Sequence, residues 1–380
     1  MKKVFVLTAG FGEGHNAAAR NLAAAIDDRE GIGSAMIIDL FDRVSPRLNR
    51  ISKNMYLGMI NRTPRIWSAC YRGFDRYPPF PKHLWFLHKE RRLLKQLISE
   101  QSPDAICCTF PVCTFIANEL EAKGFYSGPI YNIVTDSISI NSLWTRSHCT
   151  GWFVPNKETT EELIRQGVPY EKIHDFGFPV PLTFAREIHR LQPPDLHTSR
   201  PRILYMLHSG TFQAEETALK LLKETDYSFT FAVGRDEPLR QRLLKATEDR
   251  PFPVEVLSWT NRIPELLMTH HLLISKAGGA TTQEAIAAQC PMIVNQIVPG
   301  QEEGNYELIR QRGAGTLAVG PDAIVQALRN AFANECSIWK QWKEGMKALT
   351  RNEAAWKIAD HVLTPYNQTQ LPPVTAHFFK

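Results

Sequence analysis

The chain has little of what marks several large protein classes. Its 380 residues include seven cysteines, of which only Cys107 and Cys108 are adjacent, and none forms a Cys-x-x-Cys pair. That argues against a zinc site and for reduced thiols in a cytosolic chain. No apolar run is long enough to cross a bilayer, and the first strand follows Met1-Lys2-Lys3 so closely that no signal peptide is expected. The net charge is only +5, from 44 Lys+Arg against 39 Asp+Glu, so no uniform attraction to nucleic acid is expected. Beyond a duplicated strand–helix alternation, internal repeats and low-complexity tracts are absent as well.

What is there is the composition of a globular chain, 43% hydrophobic and 22% charged, at a length that suits two domains. Short β-rich runs at 3–9, 34–40, 104–110, 129–136 and 151–155 alternate with helical patterns such as 16–26 and 114–123. A proline-rich break follows at 177–181 and at Gln192-Pro193-Pro194. The alternation then restarts at 202–207, 229–234, 254–259, 271–275 and 292–298. Apolar strands separated by helices imply parallel sheets covered on both faces. The expectation is therefore an α/β chain of two Rossmann-like, doubly wound domains facing a cleft, 1–180 and 181–340. One helix ending near 363 (341–363 in the domain division) should cross back to the first domain, leaving a tail at 364–380.

Two glycine turns stand where such sheets bind ligands, at the carboxyl ends of strands. The first, Gly10-Phe11-Gly12-Glu13-Gly14, is GxGxG and not the GxGxxG dinucleotide fingerprint. Asp39 ends the second strand, where a ribose-binding acid would stand, so an NAD-dependent oxidoreductase stays open. His15 argues for chemistry. At a helix N-terminus the dipole disfavours imidazolium, so a neutral ring able to take a proton is expected. The plain alternative is a histidine that only bonds a neighbouring loop.

The second turn, Ser275-Lys276-Ala277-Gly278-Gly279, opens a helix whose N–H groups suit a diphosphate. Glu284 is expected in the first turn of that helix, either as a carboxylate for a ribose diol or as the partner of Thr281 in a capping box. The loop at 299–305 follows the next strand and brings Gln301, Glu302 and Asn305 between glycines, a set suited to sugar hydroxyls.

These motifs resemble the monogalactosyldiacylglycerol synthases and the bacterial processive diacylglycerol glucosyltransferases of glycosyltransferase family 28. The likeness is carried by Gly12-Glu13-Gly14-His15-Asn16-Ala17-Ala18, Val134-Thr135-Asp136 with Trp144, Val233-Gly234-Arg235, Lys276-Ala277-Gly278-Gly279, and 299–305. Such proteins usually have a histidine between the Thr-Asp pair and the tryptophan; residues 137–143 contain none. The resemblance implies a GT-B fold and an inverting transfer of a hexose from a UDP-sugar, which is a substrate and not a cofactor, without bound metal. It implies that Gly278, Gly279 and Thr281 lie near the diphosphate, Glu284 near the ribose, and Gln301, Glu302 and Asn305 near the donor sugar. Gly12 and Gly14 would form an acceptor-side loop, with His15 as base, assisted by Asp136. The acceptor would be a lipid hydroxyl, diacylglycerol first. A UDP-sugar epimerase of the same fold and a non-catalytic sugar-nucleotide binder remain alternatives.

Residues 45–99 break the strand–helix alternation and interleave basic with aromatic side chains. Arg65, Trp67, Arg72, Arg76 and Trp85 are of the kind that suits an anionic membrane surface, and the resemblance implies a cytoplasmic protein held peripherally on the inner face of the cell membrane. The alternative is a helical excursion that buries the aromatics in its own domain.

Overall fold

The computed structural model describes residues 1–10, 12–46, 87–207, 213–298 and 302–365. The chain divides into two units. One holds Met1–Thr135, Ile140–Pro179 and the chain from Glu353 onward; the other holds Asp136–Ser139 and Val180–Asn352.

The first unit runs β1 (Val4–Thr8), α1 (Glu13–Glu30), β2 (Ala35–Asp39), α2 (Leu40–Val44), α3 (His88–Gln101), β3 (Ala105–Cys108), α4 (Pro111–Ala122), β4 (Ile130–Ile133), β5 (Gly151–Phe153), α5 (Lys157–Arg165) and β6 (Ile173–His174). Its strands form one parallel sheet in the order β2-β1-β3-β4-β5-β6. Every residue of β1 is buried, as expected of a central strand with helices on both faces. Helix α1 buries Ala17, Ala18, Ala19, Ala23 and Ala25, small side chains with the best helix propensity, which let it lie close to its neighbours. The chain leaves β1 for β2 on one side and returns to β3 on the other. The crevice of this sheet therefore opens between the carboxyl ends of β1 and β3.

The second unit contains α6 (Leu182–Glu187), β7 (Arg202–Met206), α7 (Ala214–Glu224), β8 (Ser228–Ala232), α8 (Glu237–Thr247), β9 (Val254–Leu257), α9 (Ile263–Thr269), β10 (Leu272–Ser275), α10 (Gly279–Ala287), β11 (Met292–Val294), α11 (Glu303–Gln311), β12 (Gly315–Leu317), α12 (Pro321–Phe332) and α13 (Ser337–Leu349). The sheet is again parallel, in the order β12-β11-β10-β7-β8-β9, so its switch point lies between β7 and β10. Its core gathers Ile203, Tyr205, Phe229, Phe231, Ile274 and Ile293 from the strands with Leu221, Leu243, Ile324 and Leu328 from the helices.

Three expectations need correction. Strands β6 and β12, two and three residues long, lie where the sequence shows no β-rich run. The expected single C-terminal helix is two, α13 and α14 (Ala354–Leu363). They part company: α13 belongs to the second unit and α14 to the first. There α14 lies against α1, with Arg29 Nε 2.8 Å from Asp360 Oδ1 and Trp356 Nε1 donating to Asp28 Oδ2 at 2.8 Å. Below it the His361 ring stands 4.3 Å from that of His174, with Tyr131, Phe153 and Phe176 around the pair. Burial holds both rings neutral, and with His361 beside it the His174 pKa falls to about 4.

The third correction is that the second unit is not one stretch of chain. Residues 136–139 belong to it. Gln283 of α10 donates Nε2 to Ser137 Oγ at 3.1 Å, and the Ser137 carbonyl sits against Gly304 of α11 so tightly that a β-carbon there would fall 1.9 Å from it. The next residue, Ile138, has φ +60°, a left-handed conformation that is costly for a β-branched side chain.

Candidate active site

In the first unit, His15 is the third residue of α1, in the first turn behind the N-cap Gly12. Its Nδ1 lies 2.7 Å from the Thr109 carbonyl and 2.9 Å from Thr135 Oγ1. A carbonyl only accepts, so Nδ1 carries the proton and the ring's lone pair is on Nε2. Thr109 follows β3 directly, so this bond spans the switch-point crevice between β1 and β3. The ring is further fixed by Phe110 edge-on at 5.2 Å and by Trp144 at 6.5 Å. Trp144 is itself buried, and its carbonyl accepts from Trp152 Nε1 at 2.9 Å and Asn132 Nδ2 at 3.3 Å. An imidazole held this way can receive a proton at one defined nitrogen.

The rest of the first glycine turn is more ordinary than its sequence suggests. Gly12 is extended, at φ −169°, a conformation open to any residue, and a β-carbon there would make only ordinary contact with the His15 ring. Gly14 is not in a loop; it is the second residue of α1. Asp39 is occupied with structure: Oδ2 accepts from Gly10 N–H at 3.0 Å and Oδ1 caps α2 through Asp42 N–H at 2.9 Å. A carboxylate engaged on both oxygens is a poor ribose ligand, which weakens the oxidoreductase alternative. Asp136 follows Thr135 in the chain but is grouped with the second unit.

In the second unit, Gly278 is the N-cap of α10 and makes no side-chain cap bond. Gly279 and Thr281 are in its first turn. Glu284 is not; it lies in the second turn, half-buried, and the capping box with Thr281 does not form because the helix starts at Gly279. Glu302 is 6% exposed and engaged on both oxygens. Oε1 meets Lys276 Nζ at 2.5 Å and Oε2 accepts from Val298 N–H at 2.9 Å. Asn305, 3% exposed, donates Nδ2 to the Ala277 carbonyl at 3.0 Å, while its Oδ1 has no partner among the described residues. Gln301 and the membrane candidates Arg65, Trp67, Arg72, Arg76 and Trp85 lie outside the described residues. At the described end of that basic stretch, Arg91 is held by Glu119 at 2.6 Å.

Sequence reasoning missed several residues here. Thr109 acts through its backbone, which no side-chain pattern reveals. Lys276 reads as a strand-end lysine. A cavity of about 320 Å³ opens beside the ends of β7, β11 and β12, lined by Tyr205, Thr217, Asn295, Leu317, Val319 and Ile324. Asn295 donates to Tyr205 Oη at 3.4 Å and keeps its Oδ1 without a partner among the described residues. An asparagine ending a strand looks like turn chemistry, so nothing marked it. Among the described residues no helix is long and apolar enough to cross a membrane, and no three His, Cys, Asp or Glu cluster as metal ligands.

Two parallel doubly wound sheets, each with candidate polar groups at its switch point, define the GT-B class. The fold is shared with Acinetobacter baumannii MurG (TM-score 0.62, 12% identity, 95% of this chain and 99% of that one) and with Os79 from O. sativa (TM-score 0.64, 11%, 95% and 100%). Residues 15–180 match the family model of monogalactosyldiacylglycerol (MGDG) synthase, and 211–361 match the glycosyltransferase family 28 C-terminal domain. The chain belongs to this family of glycosyltransferases. It is 28% identical over 370 residues to a processive diacylglycerol beta-glucosyltransferase of Bacillus thuringiensis (strain Al Hakam), covering 95% of this chain and 93% of that protein. The protein of that description from Bacillus cereus (strain AH820) matches equally well.

Proposed function

We propose that the enzyme transfers a hexose, with inversion, from a UDP-sugar to a lipid hydroxyl, diacylglycerol in the first instance, at an anionic membrane surface. The observation that carries this is His15: a first-turn histidine at a switch point whose Nδ1–H goes to the Thr109 carbonyl, the tautomer that puts the ring's lone pair on Nε2. In the reaction the acceptor oxygen attacks the anomeric carbon on the face opposite UDP. The glycosidic bond forms as the bond to the diphosphate oxygen breaks, and the hydroxyl proton passes to His15 Nε2. Gly278, Gly279 and Thr281 receive the diphosphate at the start of α10. Glu284 is assigned to the ribose, Gln301 and Asn305 to the sugar, and Asp136 to assisting the base.

Three observations support the donor and acceptor. The sequence relatives are named for diacylglycerol glucosylation. Solved structures of the same fold include one titled as a complex of S. aureus MnaA with UDP. The 45–99 stretch mixes arginine with tryptophan as a lipid-facing surface would.

The test is transfer from a panel of UDP-sugars to diacylglycerol in anionic vesicles, with products resolved by mass. His15→Ala should lower transfer by about two to four orders of magnitude, the usual worth of a general base. Its UDP affinity should stay unchanged. A folded, fully active variant would move the role of base to Asp136. The runner-up, an epimerase, has one observation in its favour: a UDP-GlcNAc 2-epimerase from Neisseria meningitidis shares the fold at TM-score 0.59. An isomerised nucleotide sugar formed without any acceptor would decide for it.

A further inference from the structure

We infer that Lys276 is the cation that receives the donor's diphosphate, and that Glu302 is its built-in counter-ion and not a ligand of the sugar. This rests on the nucleotide-sugar reading above and extends it to two specific charges.

Lys276 is the first residue beyond β10, at the switch point of the second sheet. Its ammonium lies 3.8 Å from the point where a β-carbon on Gly278 would stand, directly over the N-cap of α10. That is an adverse place for a cation. The helix dipole is positive there, and the N-cap brings no side-chain oxygen to offset it. Such a pairing of two positive features is stable only around an anion. Within the chain the anion is Glu302, whose Oε1 lies 2.5 Å from Lys276 Nζ and 3.7 Å from the same point beside Gly278. Its other oxygen is tied to Val298 N–H, so the carboxylate is anchored while the lysine, at 32% side-chain exposure, reaches toward solvent.

A second group points to a ligand at this turn. Asn305 fixes its amide head there by donating to the Ala277 carbonyl, one residue before Gly278. Its buried Oδ1 is left as an acceptor without a partner among the described residues. A ligand that satisfies both features carries negative charge and hydroxyl groups together, as a sugar nucleotide diphosphate does. On binding, the phosphate oxygens take the ammonium's remaining N–H donors, and Glu302 then stands near a second anion. The carboxylate therefore weakens the hold on diphosphate and speeds release of UDP.

The two assignments of Glu302 give opposite results, measured as UDP and UMP affinity by calorimetry on the full chain. Wild type must first bind UDP; no UDP binding overturns the nucleotide-sugar reading itself. Given that binding, Lys276→Met should weaken UDP by about 10- to 100-fold, as loss of a charge-assisted bond does, and UMP by much less. Lys276→Arg should retain most of the affinity. Glu302→Gln should tighten UDP several-fold. Because Lys276→Met leaves a buried carboxylate without its cation, the double variant Lys276→Met/Glu302→Gln separates folding from binding. It should fold like wild type and still bind UDP more weakly than Glu302→Gln alone. Equal UDP affinity in wild type and Lys276→Met would overturn the lysine's role. A Glu302→Gln protein with unchanged UDP affinity but a lost preference among UDP-sugars would return Glu302 to the sugar.

Discussion

Thr135 places its hydroxyl oxygen 2.9 Å from His15 Nδ1, beside the Thr109 carbonyl that shares the same N–H. The carbonyl cannot be mutated away, but the hydroxyl can. Thr135→Val keeps the shape and removes one acceptor, worth about 0.5–1.5 kcal/mol. Turnover should fall by roughly 3- to 10-fold, with donor KM unchanged, since the ring loses orientation and not its nitrogen. Steady-state kinetics with saturating acceptor checks this, and a fall in donor affinity instead would show that Thr135 serves the fold. Glu284→Ala should weaken UDP by about 1–3 kcal/mol if the carboxylate bonds the ribose. Calorimetry decides, and an unchanged affinity in a folded variant removes Glu284 from the site. At this scale the sequence was informative about residue types at strand ends and poor about their engagements. His15, Gly278 and Asn305 stand out as candidates because glycine turns after strands are read locally. Asp39 and Glu302 looked like free carboxylates because their partners, Gly10 N–H and Val298 N–H, are backbone groups that the alphabet does not record.

Among the elements, hydrophobic alternation located the longer strands but not β6 and β12, which are too short to show a period. The C-terminal helix looked continuous because the sequence from Gly345 to Trp356 contains no proline and no further glycine. It breaks where Thr350 turns its hydroxyl on the carbonyls of Met346, 2.9 Å away, and Ile286, 3.0 Å away, which hydrophobic periodicity does not report. Helix α14 then docks by way of His361 over His174. In the unfolded chain such a ring titrates at 6.5, whereas folded His174 stays neutral down to about 4. Between those values the unfolded state binds more protons, so this stability is fully present above pH 6.5 and is lost as pH falls toward 4. The ring is only half-buried, and screening limits the loss to about 1 kcal/mol, on the order of 2–4 °C in Tm. His361→Phe keeps the aromatic contact and removes one titrating partner. It should show a smaller Tm drop from pH 7.5 to 5 than wild type, and the loss of hydrogen-exchange protection in α14 at pH 5 should be smaller too.

For the whole molecule, the duplicated α/β plan was legible because two rounds of alternation flank a proline-rich break. The interleaving of the chain was not, since residues 136–139 carry no mark of belonging to the second unit. The close approach of the Ser137 carbonyl to Gly304 fixes that membership, so Gly304→Ala should cost about 1–3 kcal/mol, as overpacking does. Chemical denaturation followed by tryptophan fluorescence measures it. The same contact bears on how such enzymes can be recombined. A chimera joined near residue 180, with its second half from a relative, inherits a foreign tetrapeptide in the seat between α10 and α11. Exchanging residues 136–139 along with the second half should restore stability and turnover that the simple join loses. Heredity of the second unit is thus written in two separate places along the gene, and a single crossover cannot carry both.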